Sequence, residues 1–212
     1  MPTGRTLGTR DRIEPVPVHS LALSGDDAAD ELLSREPLAL LIGMVLDQQV
    51  PLEWAFRSPL ELRERLGGRL DPGAMAAKDP EDLVKVFTGP PALHRFPASM
   101  ARRVHELCRV VVDDYGGDAP GIWRSAASGQ ELLKTVRSLP GFGDRKAKIF
   151  VALLGKRMDV RPPGWEEAAG PFGRPDSFMS VADIDGPDAL GKVREHKRAM
   201  KAQARAEPSA SA

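Results

Sequence analysis

A single cysteine, Cys108, in 212 residues removes several chemistries at once. It cannot close an internal disulfide, and it cannot supply the cysteine set of an iron–sulfur cluster or a structural zinc site. Aromatic residues are scarce: Trp54, Trp123, Trp165 and Tyr115 are dispersed, and core packing is the expected use of each. The four histidines, His19, His94, His105 and His196, have no spacing that suggests metal ligands or a catalytic pair, and no metal is expected. Neither sign of charge predominates, because thirty basic residues cancel thirty acidic ones, so any surface for a polyanion must be local. The most apolar run, Pro37 to Leu46, is far short of the ~20 residues that cross a bilayer, so no membrane partner is expected. No Ser–His–Asp order, Walker loop or dinucleotide fingerprint appears. Residues 1–20 lack the apolar stretch of a secretion signal and are expected to form a flexible arm on a cytoplasmic protein, while residues 207–212 are expected to be a disordered tail.

What is present is leucine and alanine at helical spacing, which predicts an all-α fold. Ser24, followed by Asp26, Asp27 and an apolar face, reads as the cap of a first helix. Pro37 opens a second, apolar nearly all round and therefore buried, which ends at Gln48 and Gln49 before Pro51. Ser58-Pro59, Asp71-Pro72 and Asp79-Pro80 each read as the start of a short helix. Pro97 to Tyr115 carries Met100, Val104, Leu107, Cys108 and Val111 on one face and stops at Gly116-Gly117. Ser128 to Glu131 has capping-box spacing, and a last helix begins near Pro187.

Leu139-Pro-Gly-Phe-Gly143 lies between two helical segments and is followed by Asp144-Arg-Lys-Ala-Lys-Ile-Phe150. Pro140 fixes φ, Gly141 and Gly143 permit conformations closed to other residues, and Leu139 and Phe142 can plug the hairpin into the core. Backbone amides at the start of the second helix then meet the positive end of its dipole, which suits a phosphate. Arg145, Lys146, Lys148, Lys156, Arg157 and Arg161 crowd the same stretch against only Asp144 and Asp159. The pattern suits an anion such as a DNA phosphate, held at this hairpin.

Leu139-Pro-Gly-Phe-Gly-Asp-Arg-Lys-Ala-Lys-Ile resembles the helix-hairpin-helix of the HhH-GPD superfamily of base-excision DNA glycosylases, and Leu46-Asp-Gln-Gln-Val50 resembles the family's early helix with a glutamine near its end. The resemblance covers about Leu21 to Ala202. It implies a two-lobed all-α protein over residues 21–206, with one lobe at about 50–138. The second lobe would comprise 21–49 plus 139–206 and carry the hairpin at 128–155. It also implies duplex DNA across Leu139, Gly141, Phe142, Gly143, Arg145, Lys146 and Lys148, a base flipped into the cleft between lobes, and Gln48 or Gln49 at that cleft. A monovalent cation on hairpin carbonyls, nucleoid association and a monomeric state belong to the same expectation.

Two departures from the family shape the functional expectation. The position of the lysine nucleophile in lyase members aligns with Arg145, which stays protonated, so monofunctional hydrolysis is expected. A gap-free count to the family's catalytic aspartate reaches Pro163, with Asp159 before it and Glu166 and Glu167 after it. These three are the candidate carboxylates, each with a surface or helix-start reading beside the catalytic one; Trp165 next to them is a candidate stacking surface for the flipped base. A non-catalytic DNA-binding protein that has lost the aspartate is the alternative function.

Overall fold

The structure, a computed structural model, describes residues 21–206, and among them every regular element is helical. α1 (Asp27–Arg35) and α2 (Pro37–Leu46) precede α3 (Leu52–Arg65), followed by the short α4 (Pro72–Ala76) and α5 (Pro80–Thr88). The long α6 (Pro97–Tyr115) leads through α7 (Gly121–Arg124) to α8 (Gly129–Ser138) and α9 (Asp144–Arg157). A loop with α10 (Trp165–Ala169) and two 3-10 turns, Gly170–Gly173 and Val181–Asp183, connects to α11 (Pro187–Ala206). The expected arm and tail fall outside the described residues.

Local chemistry accounts for most boundaries. The Asp71 carboxylate caps α4 on the Ala74 N–H at 2.8 Å, and Asp79 caps α5 on Glu81 at 2.8 Å. Ser128 caps α8 on Glu131 at 3.2 Å, while the Glu131 carboxylate reaches back to the Ala127 N–H at 2.9 Å. Gly116, at φ 61°, closes α6. The cap of α1 is Asp26 rather than Ser24, whose hydroxyl instead accepts the Asp26 N–H at 3.0 Å.

Ser58-Pro59 does not start a helix. Pro59 lies inside α3, where Leu52, Ala55, Phe56, Pro59 and Leu62 form one buried stripe. The Ser58 hydroxyl is engaged by the Trp54 and Leu93 carbonyls at 2.8 and 2.7 Å. Tertiary burial of that stripe outweighs the missing proline N–H.

α2 has nine buried residues, Leu38 to Leu46, and sits at the centre of a single continuous apolar core. α1 and α2 pack chiefly on α3. α8, α9 and α10 pack on one another, and α9 also rests on both 3-10 turns. The hairpin meets the rest of the molecule at the C-terminal end of α2, and the space there is the site described next.

Candidate nucleic-acid interface and cleft

Between α8 and α9 the chain reverses in five residues. Gly141 takes φ 86°, and a Cβ there would meet Arg103 Cδ at 2.7 Å, so both conformation and space demand glycine. Leu139 and Phe142 are buried, Phe142 packing edge-on against Phe150 with centroids 5.5 Å apart. They anchor the turn from inside, and what the turn offers outward is backbone.

That backbone is open. Ala147 N–H begins the α9 ladder on the Gly143 carbonyl at 2.9 Å, and no side chain caps the helix. The N–H groups of Gly143, Asp144, Arg145 and Lys146 have no acceptor among the described residues. Above Gly143 a Cβ would meet nothing within 4 Å. Four amides without acceptors at a helix N-terminus, with clear space in front of Gly143, suit a phosphate oxygen.

Behind the hairpin lies a cleft of about 620 Å³, bounded by the end of α2, the start of α9, Met179 and Ser180 before the last 3-10 turn, and Lys197 of α11. Lys146 forms part of its wall. Its ammonium donates to the Val45 carbonyl at 3.1 Å, tying α9 to the C-terminal end of α2. Burial lowers its pKa to about 8; Asp47 opposes that shift and Arg103 reinforces it.

The two glutamines separate in role. Gln48 is tied down: its amide nitrogen donates to the Val45 carbonyl at 2.9 Å and contacts Met100 Sδ at 3.0 Å, and Arg103 donates to its side-chain oxygen at 3.4 Å. His94 holds its backbone carbonyl at 2.9 Å, and the His94 Nδ1 accepts the Phe96 N–H at 3.0 Å, which assigns the ring proton to Nε2. Burial lowers the His94 pKa against its backbone hydrogen bonds, and the Lys146 charge adds to the lowering. Gln49 is exposed at the cleft mouth with φ 57°, a left-handed conformation that costs a non-glycine residue about 1–2 kcal/mol. No burial of the side chain offsets that strain, so Gln49, unlike Gln48, stands free at the cleft mouth.

Arg145 is exposed, with its guanidinium over the Phe172 ring at 5.3 Å, and Lys148 is paired with Asp144 at 2.7 Å. Arg145 leaves positive charge beside the open amides, and Lys148 offsets the Asp144 carboxylate there. Beyond His94, Phe96 is 42% exposed with Arg95 over its ring at 5.3 Å, an exposed aromatic face that no sequence pattern indicated.

The cleft lining contains none of the three carboxylates taken from the sequence. Asp159, at φ 55°, is the left-handed residue that ends α9, and its carboxylate faces Arg161 at 3.4 Å. Glu166 lines a separate groove with Lys156, Arg157 and Trp165, and Glu167 is exposed in the first turn of α10. The reason is the Pro162-to-Trp165 loop. It folds back on α8 through Gly129 N–H to the Pro163 carbonyl at 2.8 Å, and Trp165 lies on Gly155, where a Cβ would meet its ring at 2.3 Å. Those contacts hold the loop at the far end of a helix about 20 Å long. Trp165 is accordingly a packing residue, away from the cleft. The side chains that sequence reasoning passed over are Asp47, Ser180 and Lys197, which line the cleft, and His94 and Arg103, which hold Gln48; only Asp47 had a local signal, its place beside the glutamine pair.

The family profile of the HhH-GPD superfamily base excision DNA repair proteins matches residues 42–207, which span α2 through α11. The chain belongs to this superfamily. Its all-helical fold and its hairpin fit a DNA-repair domain, and DNA is its partner. No curated protein matches the chain closely enough to serve as a relative. Among the described residues no helix is long and apolar enough to cross a membrane, and no three His, Cys, Asp or Glu side chains gather to hold a metal ion.

Proposed function

We propose that the protein is a monofunctional DNA N-glycosylase that takes a damaged base out of duplex DNA and hydrolyses its bond to the sugar. The observation that carries this reading is the coincidence at one mouth of open α9 amides, exposed Gln49 and a cleft large enough for a nucleotide. A phosphate on the amides of Asp144 to Lys146 sets the register of the duplex, and Gln49 enters the stack where the base leaves. Arg145 remains cationic at every working pH and reinforces the phosphate contact rather than attacking the sugar.

A monovalent cation on the hairpin would be held by backbone oxygens. The Leu139 and Gly143 carbonyls already accept the N–H groups of Phe142 and Ala147 and each keeps a second lone pair. Such an ion would add positive charge beside the phosphate, and no step of the reaction depends on it. Nucleoid association and a monomeric state complete the reading.

The deciding experiment incubates the protein with duplexes carrying uracil, hypoxanthine, 8-oxoguanine or alkylated purines, followed by hot alkali or by borohydride. Cleavage only after alkali, without a borohydride-trapped adduct, is the expected result. A trapped adduct lost in Lys146→Met would instead make Lys146 an amine nucleophile and overturn the monofunctional reading. The second reading, a damage-binding protein without catalysis, is favoured by the absence of Asp159, Glu166 and Glu167 from the cleft. Salt-sensitive binding with no cleavage of any lesion would establish it.

A further inference from the structure

The cleft has two acidic side chains of its own, Asp47 and Asp144, and they differ in what surrounds them. Asp144 stands on the rim, bridged to Lys148 at 2.7 Å and to Arg137 at 3.4 Å, and is already neutralised there. The Asp47 side chain is only 19% exposed, yet its carboxylate accepts no hydrogen bond among the described residues. Its ion-pair partner is Lys197, at a loose 3.8 Å on the exposed face of α11. The Lys146 ammonium, fixed on the Val45 carbonyl, is the second positive group that acts with it.

Asp47 is also misplaced for folding. It ends α2, where the helix dipole is negative and a carboxylate is disfavoured. A half-buried acid with no hydrogen-bond donor among the described residues, set against the dipole and opening into a cavity, has a use other than stability. Its backbone is fixed: Asp47 N–H donates to Gly43 at 2.9 Å, and the next residue, Gln48, is held on both sides. The carboxylate therefore has a defined position relative to the hairpin.

Resting on the glycosylase reading above, we propose that Asp47 is the catalytic carboxylate that meets the deoxyribose of the flipped nucleotide. As the C1′–N bond breaks, its electron pair leaves with the base, which takes a proton from solvent. The positive charge left on C1′ and the ring oxygen faces the Asp47 carboxylate. Water then bonds to C1′ through oxygen and gives its proton to Asp47, leaving free base and an abasic sugar. DNA phosphates compete for the exposed Lys197 and release the carboxylate for this role.

The lesion need not be known to test this. Duplexes carrying a pyrrolidine abasic nucleotide, whose protonated ring nitrogen mimics the charged sugar, are compared with duplexes carrying the neutral tetrahydrofuran abasic nucleotide. Wild type is expected to bind the pyrrolidine duplex at least about tenfold more tightly, one charge interaction in a partly desolvated site. Asp47→Asn and Asp47→Ser should bind both duplexes alike, with melting temperatures no lower than wild type, whereas Glu166→Gln/Glu167→Gln keeps the preference. Wild type that binds both duplexes equally, in a salt-sensitive way, overturns the Asp47 assignment and leaves the DNA-repair reading intact. A preference that survives in both Asp47 variants overturns it too. Wild type that binds neither duplex removes the glycosylase reading and this one with it.

Discussion

At its C-terminal end α9 leaves little unsatisfied. Lys156, 10% exposed, donates to Asp183 at 2.5 Å and to the Arg174 carbonyl at 2.6 Å, and Asp183 also accepts from Ser177 and from the backbone of Met179 and Ser180. Trp165 closes on Gly155, and Arg161 donates to the Gly155 carbonyl at 2.8 Å. At its N-terminal end the same helix leaves amides without acceptors, a glycine under open space, a strained glutamine and a carboxylate without a donor. One end is closed by packing and buried ion pairing, with the exposed Asp159 and a shallow groove outside them, and the other is a polar surface left incomplete. Unsatisfied polar groups cost stability wherever they are, so their concentration at one end of α9 sets that end apart from the packed one.

The comparison predicts opposite responses to substitution at the two ends. The largest loss belongs to Asp183→Ala, which strands the buried Lys156 charge; unfolding should become easier by about 3–5 kcal/mol in a urea titration. Gly155→Val drives a side chain into the Trp165 ring and should cost about 2–3 kcal/mol by the same measurement, with the DNA affinity of the folded fraction unchanged. If either variant were as stable as wild type, the C-terminal end would not be the packed interior described.

Lys146 gives a pH-dependent contrast. Its pKa of about 8 in the folded protein lies below the ordinary 10.5, so between those values the unfolded chain binds the extra proton. Stability therefore gains a contribution as pH rises from about 8 toward 10.5, and the gain is absent below 8. Asp47 and Arg103 set the size of the shift in opposite directions. Melting temperatures of wild type should thus rise relative to Lys146→Met over that window. Parallel curves would mean that Lys146 is not desolvated.

The smallest effects on stability come at the open end. Gln49→Gly removes the left-handed strain and should stabilise by about 1 kcal/mol while weakening binding to an abasic-site duplex. Gly143→Ala, at φ −75° with nothing in its way, should change stability by less than about 0.5 kcal/mol yet weaken binding to any duplex, since its methyl occupies the space before the amides. Equal affinity in the Gly143 variant would place the phosphate elsewhere.

Helices with a strong local signal were legible in the chain. Asp71, Asp79 and Ser128 cap where their spacing requires, α6 runs from Pro97 to Tyr115, and the hairpin lies where two glycines and a proline permit no helix. Pro59 was not legible, because burial of an apolar stripe overrides a local stop signal. At the site, the open amides of the hairpin and the glutamine pair were readable from the motif. The carboxylates were not, because the loop after α9 is positioned by Trp165 on Gly155, a contact no spacing encodes.

The amino-acid sequence by itself determined that the protein is helical, that a tight hairpin exposes the start of α9, and that Arg145 cannot serve as an amine nucleophile. Those are properties of single residues and their near neighbours. Only the tertiary structure decided which glutamine is free, that Lys146 is desolvated on Val45, and that Asp47 rather than Glu166, Glu167 or Asp159 opens into the cleft. Burial, strain and charge pairing depend on residues about a hundred positions apart meeting at one helix end, as Lys146 meets Val45, and local sequence does not carry that distance.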